Sequence, residues 1–275
     1  MVRIAVAQFA PGQDKAENAR SVAELAARGA AEGAEVVLLP EYAMFTASRT
    51  DHRYVKSAES LDGPFLSAAA DTARSEGVHL VLGVNEATVG ENEAGEATHF
   101  INTLVVLGPD GGRRALYRKI HLYDAFGVRE SDVVRPGPIE EPETFTVDGV
   151  VFGIQTCYDL RFPEVTRRIA DAGAHVVLLA AQWVPGPLKE DHWRTLARAR
   201  AIENTVYVAA AGQAAPSGAG GSMVVDPMGT PTVALGEQRF AVASAEVSAA
   251  RVEEVRSINP ALSLRRFAVT PRDLD

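Results

Sequence analysis

The chain has 275 residues, of which 47% are hydrophobic and 23% charged, proportions typical of a globular protein. This composition excludes collagen-like repeats, coiled coils and extensive intrinsic disorder. With 36 acidic against 27 basic side chains the formal net charge is −9, which disfavours nucleic acid or an anionic membrane as the main partner. A single cysteine excludes an internal disulfide framework and any multi-cysteine metal site.

The apolar runs are strand-sized and much shorter than the roughly 18 residues that a membrane span needs. Residues 1–8 are too short and too strictly alternating for a signal peptide, and they predict a strand. We therefore expect a cytoplasmic protein without a membrane partner.

Apolar runs of strand length alternate with amphipathic helical patterns along the chain. The predicted strands are 3–8, 35–40, 78–84, 100–107, two within 143–156, 174–181, 206–211, 223–226 and 240–245. The predicted helices are 18–32, 64–76, 163–172, 191–203 and 249–255. Residues 85–98, rich in Gly, Glu and Asn, predict a hairpin loop. Because several strands follow one another directly, the pattern favours an α/β fold with two sheet layers and outer helices, in one domain over residues 1–275.

Cys157 is the first candidate catalytic residue. It follows the apolar run 150–156 and precedes Tyr158-Asp-Leu-Arg-Phe-Pro-Glu164, so it lies at a predicted strand-to-helix junction. Catalytic groups in α/β proteins gather at the carboxyl ends of strands, and the N–H groups of the following turn favour a thiolate. A lone cysteine is also commonly a small buried hydrophobic side chain, so position alone leaves both interpretations open.

Glu41 and Lys119 are the next candidates. Glu41 directly follows the predicted strand 35–40, where a carboxylate either caps a helix or acts as a buried general base. Lys119 lies in Tyr117-Arg-Lys-Ile-His-Leu-Tyr123, which on charge pattern alone is a solvated basic edge. If the fold places Lys119 close to a thiol, however, its ammonium is suited to stabilise the negative charge on a substrate carbonyl oxygen in the transition state. His121 is the alternative base, in a Cys–His dyad that sequence spacing leaves open.

Competing motifs are incomplete. Gly220-Gly-Ser-Met-Val224 lacks the final glycine of a serine-hydrolase elbow, and neither phosphate-binding glycine motif is present. The six histidines include no H-x-x-x-H pair, so no helical zinc site is predicted.

Three segments occur in the order Glu, Lys, Cys: Leu38-Leu-Pro-Glu41, Arg118-Lys-Ile-His121 and Thr156-Cys-Tyr-Asp-Leu-Arg-Phe-Pro-Glu164. They resemble the signature segments of the nitrilase superfamily of carbon–nitrogen hydrolases, and the likeness runs from residues 4–8 to 221–229. Residues 121–131 and 181–193 resemble the Nit-type deaminated glutathione amidases, which cleave a glutathione whose glutamyl amino group has become a keto group. The related ω-amidases have a shorter segment at 182–191.

The resemblance implies a role for each matching residue. Cys157 is the expected nucleophile, Glu41 the general base, and Lys119 the cation that stabilises the oxyanion together with the backbone N–H of Tyr158. Glu130 matches a second glutamate that positions the lysine; without the motif it would be a surface loop carboxylate. A free thiol has a pKa of about 8.5, and we expect Lys119 and the local backbone dipoles to lower it. No metal or organic cofactor is implied.

Four further residues are candidates for substrate binding. Arg161 is a plausible fork for a substrate carboxylate, or else a partner of Asp159 or Glu164. Tyr42 adjoins Glu41 and is expected to line the pocket. Trp183 and Lys189 lie in the segment peculiar to the subfamily and are expected to meet the distal part of the substrate, although a loop lysine is commonly just solvated.

The resemblance also implies the family's α-β-β-α sandwich, which commonly pairs into a homodimer through the helices beginning near Pro163 and Asp191. The expected reaction is hydrolysis of a small amide that bears a carboxylate, through a cysteine thioester, with deaminated glutathione as the expected substrate. The alternatives are an ω-amidase acting on α-ketoglutaramate or α-ketosuccinamate, another small-amide hydrolase, or a non-catalytic or redox-responsive binding protein. The complete Glu, Lys and Cys set argues against the last of these.

Overall fold

The computed structural model describes residues 1–90 and 95–272. In chain order the strands are β1 (Val2–Gln8), β2 (Val36–Leu38), β3 (His79–Ala87), β4 (Phe100–Leu107), β5 (Arg113–Arg118), β6 (Thr144–Val147), β7 (Val150–Thr156), β8 (Val176–Ala181), β9 (Tyr207–Gly212), β10 (Met223–Val225), β11 (Pro231–Ala234) and β12 (Ala241–Val247). The α-helices are α1 (Lys15–Ala31), α2 (His52–Ser57), α3 (Pro64–Glu76), α4 (Pro163–Asp171), α5 (Lys189–Asn204) and α6 (Ala249–Ile258). Short 3-10 helices span Glu130–Asp132 and Cys157–Arg161.

The strands form two six-stranded mixed sheets. The first has the order β12-β1-β2-β3-β4-β5 and the second the order β11-β10-β9-β8-β7-β6. In the first sheet β1, β2 and β3 are parallel, and in the second β7, β8 and β9 are parallel. The remaining neighbours are antiparallel. All of these pairs except β1–β12 join consecutive strands, for which an antiparallel arrangement is expected.

The two sheets pack face to face over an apolar core, and helices cover their outer faces. Buried side chains such as Ile4, Leu38, Phe152 and Leu178 fill the space between the sheets. A second cluster joins α1 and α3 to the outer face of the first sheet, and a third joins α4 and α5 to the outer face of the second. The predicted α-β-β-α sandwich is therefore confirmed.

Most predicted elements are present with shifted ends. The first helix begins at Lys15 instead of residue 18, because the Asp14 carboxylate caps it by accepting from the N–H groups of Ala16 and Glu17 at 2.8 and 3.1 Å. The loop predicted at 85–98 begins only after Ala87, where β3 ends. Its residues 91–94 lie outside the described part of the chain.

Sequence analysis missed β5, β11 and α2. The strands β5 and β11 are edge strands of their sheets, and apart from Ala115 their side chains are exposed or half-buried. An edge strand with one unpaired side needs little apolar content, so the period that reveals a buried strand is absent. The helix α2 has only six residues, too few for a helical period to be recognised.

None of the helices in residues 1–90 and 95–272 combines the length and hydropathy that a bilayer-spanning segment requires.

Candidate active site

The ends of four strands bring the candidate site together. Glu41 lies three residues after β2, Lys119 directly after β5, Cys157 directly after β7 and Gln182 directly after β8. Each lies at the carboxyl end of its strand, the edge at which α/β proteins place their ligands. Residues 41, 119 and 157, far apart in sequence, are thereby gathered into one cluster.

Lys119 is the centre of a buried charge cluster. Its Nζ lies 3.1 Å from Oε1 of Glu41, and 2.9 and 2.8 Å from the two carboxylate oxygens of Glu130. All three side chains are at most 4% exposed. Burial alone would lower the pKa of Lys119, but the Glu130 and Glu41 carboxylates outweigh it and hold that pKa well above its usual range. The lysine is therefore a permanent cation.

The carboxylate of Glu41 is held on both oxygens. Asn102 Nδ2 donates to Oε1 at 2.7 Å, beside the Lys119 ammonium, and the backbone N–H of Gln182 donates to Oε2 at 2.5 Å. These donors fix the carboxylate's orientation within the site, as a general base requires.

The carboxylate of Glu130 is also fully engaged. Besides Lys119 it accepts from the hydroxyl of Tyr42 at 2.6 Å and from the backbone N–H of Tyr123 at 2.6 Å. Burial, followed by the nearby Glu130 carboxylate, raises the pKa of Tyr42 well above its usual range, so the phenol remains a neutral donor. Glu130 is thus a buried group in contact with Lys119, not a surface loop carboxylate, and Tyr42 orients it as well as lining the cavity.

Cys157 is the first residue of its 3-10 helix and has a left-handed backbone, with φ of +44°. A non-glycine residue in that region is strained, a feature that clusters at functional sites. Its Sγ lies 3.7 Å from the carbonyl oxygen of Gln182, whose N–H binds Glu41. The backbone of a single residue, Gln182, therefore adjoins both the thiol and the carboxylate.

The expected lowering of the thiol pKa is wrong for the free protein. Burial raises the pKa of Cys157 well above its usual range, and the Glu41 carboxylate raises it further, outweighing Lys119. The physical reason is the charge balance, because Lys119 is already paired with two carboxylates and has little net field to offer the sulfur. The resting cysteine is a neutral thiol that needs a base.

Tyr158 follows the cysteine and lies in the first turn of the 3-10 helix. Backbone N–H groups in a helix's first turn have no partner within the helix, which suits them to an anion. Its ring packs edge-on against Tyr123 and Phe162 at 5.1 and 5.3 Å. The oxyanion role of its N–H stays a prediction.

The side chain of His121 hydrogen-bonds to Asp159. Its Nδ1 and backbone N–H lie 2.8 and 3.1 Å from Oδ1 of the buried Asp159, and its ring stacks on Phe162 at 3.7 Å. Glu41 lines the same cavity as Cys157, whereas His121 lines a separate one, so the structure favours Glu41 over His121 as the base for the thiol. Asp159 is hydrogen-bonded to His121 and does not pair with Arg161.

Arg161 and Lys189 both lie over the ring of Trp183. The guanidinium of Arg161 is 4.9 Å from the centre of the Trp183 ring, and the Lys189 ammonium is 5.1 Å from the same ring. Lys189 is only 5% exposed, and its Nζ donates to the neutral hydroxyl of Tyr123 at 3.0 Å. It is the first residue of α5, not a solvated loop lysine.

These two cations have no carboxylate partner among residues 1–90 and 95–272. Arg161 contacts His192 Nδ1 at 3.3 Å, and its buried Nε has no hydrogen-bond partner. Burial and then Arg161 lower the pKa of Lys189. Neither Asp159 nor Glu164 pairs with Arg161, so the expected alternative of a local salt bridge is wrong.

Trp183 differs from the expectation. It is 2% exposed, and its indole N–H donates to the backbone carbonyl of Lys189 at 2.7 Å. It therefore supports the two cations instead of facing the distal part of a substrate.

A cavity of about 990 Å³ opens over the cluster. Glu41, Lys119, Cys157 and Gln182 form part of its wall, together with surface loops at 10–13, 46–50, 127–132 and 184–185. No group of three or more His, Cys, Asp or Glu side chains in the described residues is arranged to hold a metal ion.

Sequence reasoning missed Asn102, Gln182 and Tyr123. Asn102 lies within the apolar strand β4, where a single amide carries no recognisable motif. Gln182 and Tyr123 bind the carboxylates through backbone N–H groups, which every residue other than proline has, so residue type contains no signal.

Comparisons with known proteins agree with this geometry. The carbon–nitrogen hydrolase family matches residues 3–257. A deaminated glutathione amidase from Escherichia coli O157:H7 is 38% identical over 268 residues, which cover 96% of this chain and 97% of that protein. An omega-amidase from Xenopus laevis is 30% identical over 276 residues, 96% of this chain and 95% of that protein.

A solved structure shares the fold. An amidase of the nitrilase superfamily from Nesterenkonia superposes with a TM-score of 0.81 at 26% identity, covering 96% of this chain and 94% of that one. The family match spans nearly the whole chain, and the structural likeness has the same extent. The protein therefore belongs to the carbon–nitrogen hydrolase family of the nitrilase superfamily, and it is a hydrolase of amide bonds.

Proposed function

We propose that the protein hydrolyses deaminated glutathione to a 2-oxo dicarboxylic acid and cysteinylglycine, with Cys157 as nucleophile. The observation that carries the substrate assignment is the cavity of about 990 Å³ over the thiol, which has room for a dipeptide leaving group. The cations Arg161 and Lys189, which have no carboxylate partner within residues 1–90 and 95–272, favour a carboxylate on the acyl part. The E. coli relative with this activity in its name, similar over nearly its whole length, supports the same assignment.

The first step forms a bond between sulfur and carbon. As Sγ of Cys157 attacks the amide carbonyl carbon, the thiol proton moves to the carboxylate of Glu41. The carbonyl oxygen becomes an oxyanion, which the Lys119 ammonium and the N–H of Tyr158 stabilise. Glu130 does not touch the substrate; it holds the ammonium in place through its two short contacts.

The second step breaks the carbon–nitrogen bond. Glu41 returns its proton to the leaving nitrogen, the oxyanion collapses, and cysteinylglycine departs as an amine while the acyl group remains on sulfur as a thioester. Water then attacks the thioester carbon and gives a proton to Glu41. Collapse of the second tetrahedral intermediate expels the sulfur, which regains that proton, and the acid is released.

Arg161 and Lys189 suit the carboxylate of the acyl part. A buried cation without a counter-charge is costly, and a bound anion removes that cost. Within residues 1–90 and 95–272 the Nε of Arg161 has no hydrogen-bond partner and Lys189 has no carboxylate partner, so both cations have donors available for it.

An ω-amidase is the second candidate, because α-ketoglutaramate has the same acyl part and the Xenopus relative has that activity in its name. The cavity volume favours deaminated glutathione. The leaving group of α-ketoglutaramate is ammonia, which needs about as much space as one water, roughly 30 Å³. A cavity of about 990 Å³ next to Cys157 is far larger than that. A redox-responsive binding role has no comparable support.

The deciding experiment measures kcat/KM for deaminated glutathione and α-ketoglutaramate side by side, with a Cys157→Ala preparation as the blank. We expect a clear preference for deaminated glutathione. A preference for α-ketoglutaramate would assign the protein to the ω-amidases without changing the mechanism.

Replacing Arg161 tests the carboxylate site. We expect Arg161→Ala to reduce kcat/KM on these two substrates by about 10- to 100-fold, because a charge-assisted hydrogen bond contributes about 1.5–3 kcal/mol. A neutral amide that lacks the acyl carboxylate is the control substrate, and its turnover should change little. An equal loss on both kinds of amide would refute the carboxylate-binding role.

We also propose a homodimer through the face formed by α4 and α5. Ile202 on α5 is 45% exposed, and Phe267 in the C-terminal segment is 90% exposed, both large apolar side chains. Arg265 attaches that segment to Asp171 at the end of α4. Sedimentation equilibrium should give twice the chain mass of 29.3 kDa, and the mass of one chain would refute the dimer. The cytoplasmic location stays a prediction.

A further inference from the structure

We infer that Arg49 and Arg129 form a second anion subsite, at the rim of the cavity, that binds the terminal carboxylate of the leaving group. This inference rests on the proposed function, in which Arg161 and Lys189 bind the carboxylate of the acyl part. It accounts for how the protein selects the leaving group of its substrate, which the catalytic cluster does not explain.

Both arginines line the same cavity as Cys157. Arg49 lies in the loop that follows Glu41, and Arg129 directly precedes Glu130. Each therefore belongs to a loop that also supplies a carboxylate of the buried cluster. Whereas those carboxylates are buried, both arginines are exposed, and the side chain of Arg129 is 74% exposed.

The balance of charged side chains differs between the floor and the rim of the cavity. At its floor Lys119 is compensated by two carboxylates. At its rim the two arginines face a single acid, Asp132, which leaves a surplus of one positive charge on a chain of net charge −9. The pair between Arg129 Nε and Asp132 Oδ1 is 3.4 Å long and largely exposed, so it is weak. Arg49 makes no ion pair or side-chain hydrogen bond within residues 1–90 and 95–272.

The position of the acyl subsite leaves this cavity to the leaving group. Arg161 and Lys189 do not line the cavity, whereas Cys157 and Tyr123, the hydrogen-bond partner of Lys189, do. An acyl group anchored on the half-buried Arg161 and the buried Lys189 reaches the sulfur from their side, so the amine departs into the cavity. A dipeptide leaving group extends about 7 Å from its nitrogen and ends in a carboxylate. The cations available to this carboxylate are the two arginines at the rim of the cavity.

The test compares deaminated glutathione with its C-terminal carboxamide, which differs only in the charge at the far end of the leaving group. The measured quantity is the ratio of the two kcat/KM values. It is measured for the wild type, Arg49→Gln, Arg129→Gln and the double variant. Arg20→Gln is the matched control, because Arg20 is an exposed arginine on α1 outside the cavity.

We expect the wild type to favour the carboxylate by about three- to tenfold, as exposed ion pairs allow, and the double variant to bring the ratio close to one. Added salt should lower the wild-type ratio, because exposed charges are screened. The control should keep the wild-type ratio.

Two results would overturn the inference. One is a wild-type ratio near one, which needs no variant and is independent of folding. The other is a double variant that keeps the wild-type ratio. If the wild type hydrolyses α-ketoglutaramate but neither deaminated glutathione nor its carboxamide, the proposed function itself fails, and the outcome is distinguishable from both.

Discussion

Cys157→Ala should abolish amide hydrolysis while the fold remains intact. We expect kcat to fall at least roughly 10,000-fold, because no other group can form the thioester. The loss of one sulfur atom from the wall of an existing cavity removes little packing, so the free energy of unfolding should change by no more than about 1 kcal/mol. Steady-state hydrolysis and chemical denaturation, measured on the same preparation, check both parts.

The same two proteins test the protonation state of the thiol. Since burial and Glu41 raise the pKa of Cys157, the wild-type minus variant ultraviolet spectrum should show no thiolate band at neutral pH and should develop one only at alkaline pH. A thiolate band at neutral pH would mean that Lys119 lowers the pKa of Cys157 by more than burial and Glu41 raise it. Loss of circular dichroism in the variant would make the cysteine structural.

Lys119→Met should destabilise the protein as well as inactivate it. Without the ammonium, the carboxylates of Glu41 and Glu130 remain buried near each other with no counter-charge. Breaking a buried ion pair by removing one partner costs about 3–5 kcal/mol. Losing an oxyanion donor costs about 100- to 1,000-fold in kcat. Urea denaturation and single-turnover kinetics measure the two effects.

Lys189→Met is the matched control, because Lys189 is an equally buried lysine with no carboxylate partner in the described part of the chain. Removing it relieves an uncompensated charge, so the unfolding free energy should stay constant or rise, while kcat/KM on the carboxylate-bearing amides falls. If both methionine variants lose the same stability, the charge balance described for the cluster is incorrect.

The sequence predicted secondary structure correctly where burial gives the apolar residues a regular spacing. The helix Pro64–Glu76 and the strand Phe100–Leu107 have the predicted ends, since each buries one face or both in the core. The edge strands β5 and β11 were missed because exposure removes that spacing. Lys119 follows one of these missed strands, so its position at a strand end became evident only in the fold.

The sequence by itself determined the chemistry available to this protein. Glu41, Lys119 and Cys157 stand in three recognisable segments, and for Glu41 and Cys157 the local pattern also predicts a position at the end of a strand. A motif of neighbouring residues is enough to identify the family, because the family's reactive groups keep their local context.

Only the tertiary structure decided how those groups interact. The protonation of Cys157, the lack of a carboxylate paired with Arg161 among the described residues, and the burial of Lys189 depend on contacts between segments distant in sequence. The field at a charged group falls off with distance in space and is set by what surrounds it, not by its neighbours along the chain. For that reason the sequence predicted a thiol activated by lysine, and the fold shows a neutral thiol beside a lysine already paired with two carboxylates.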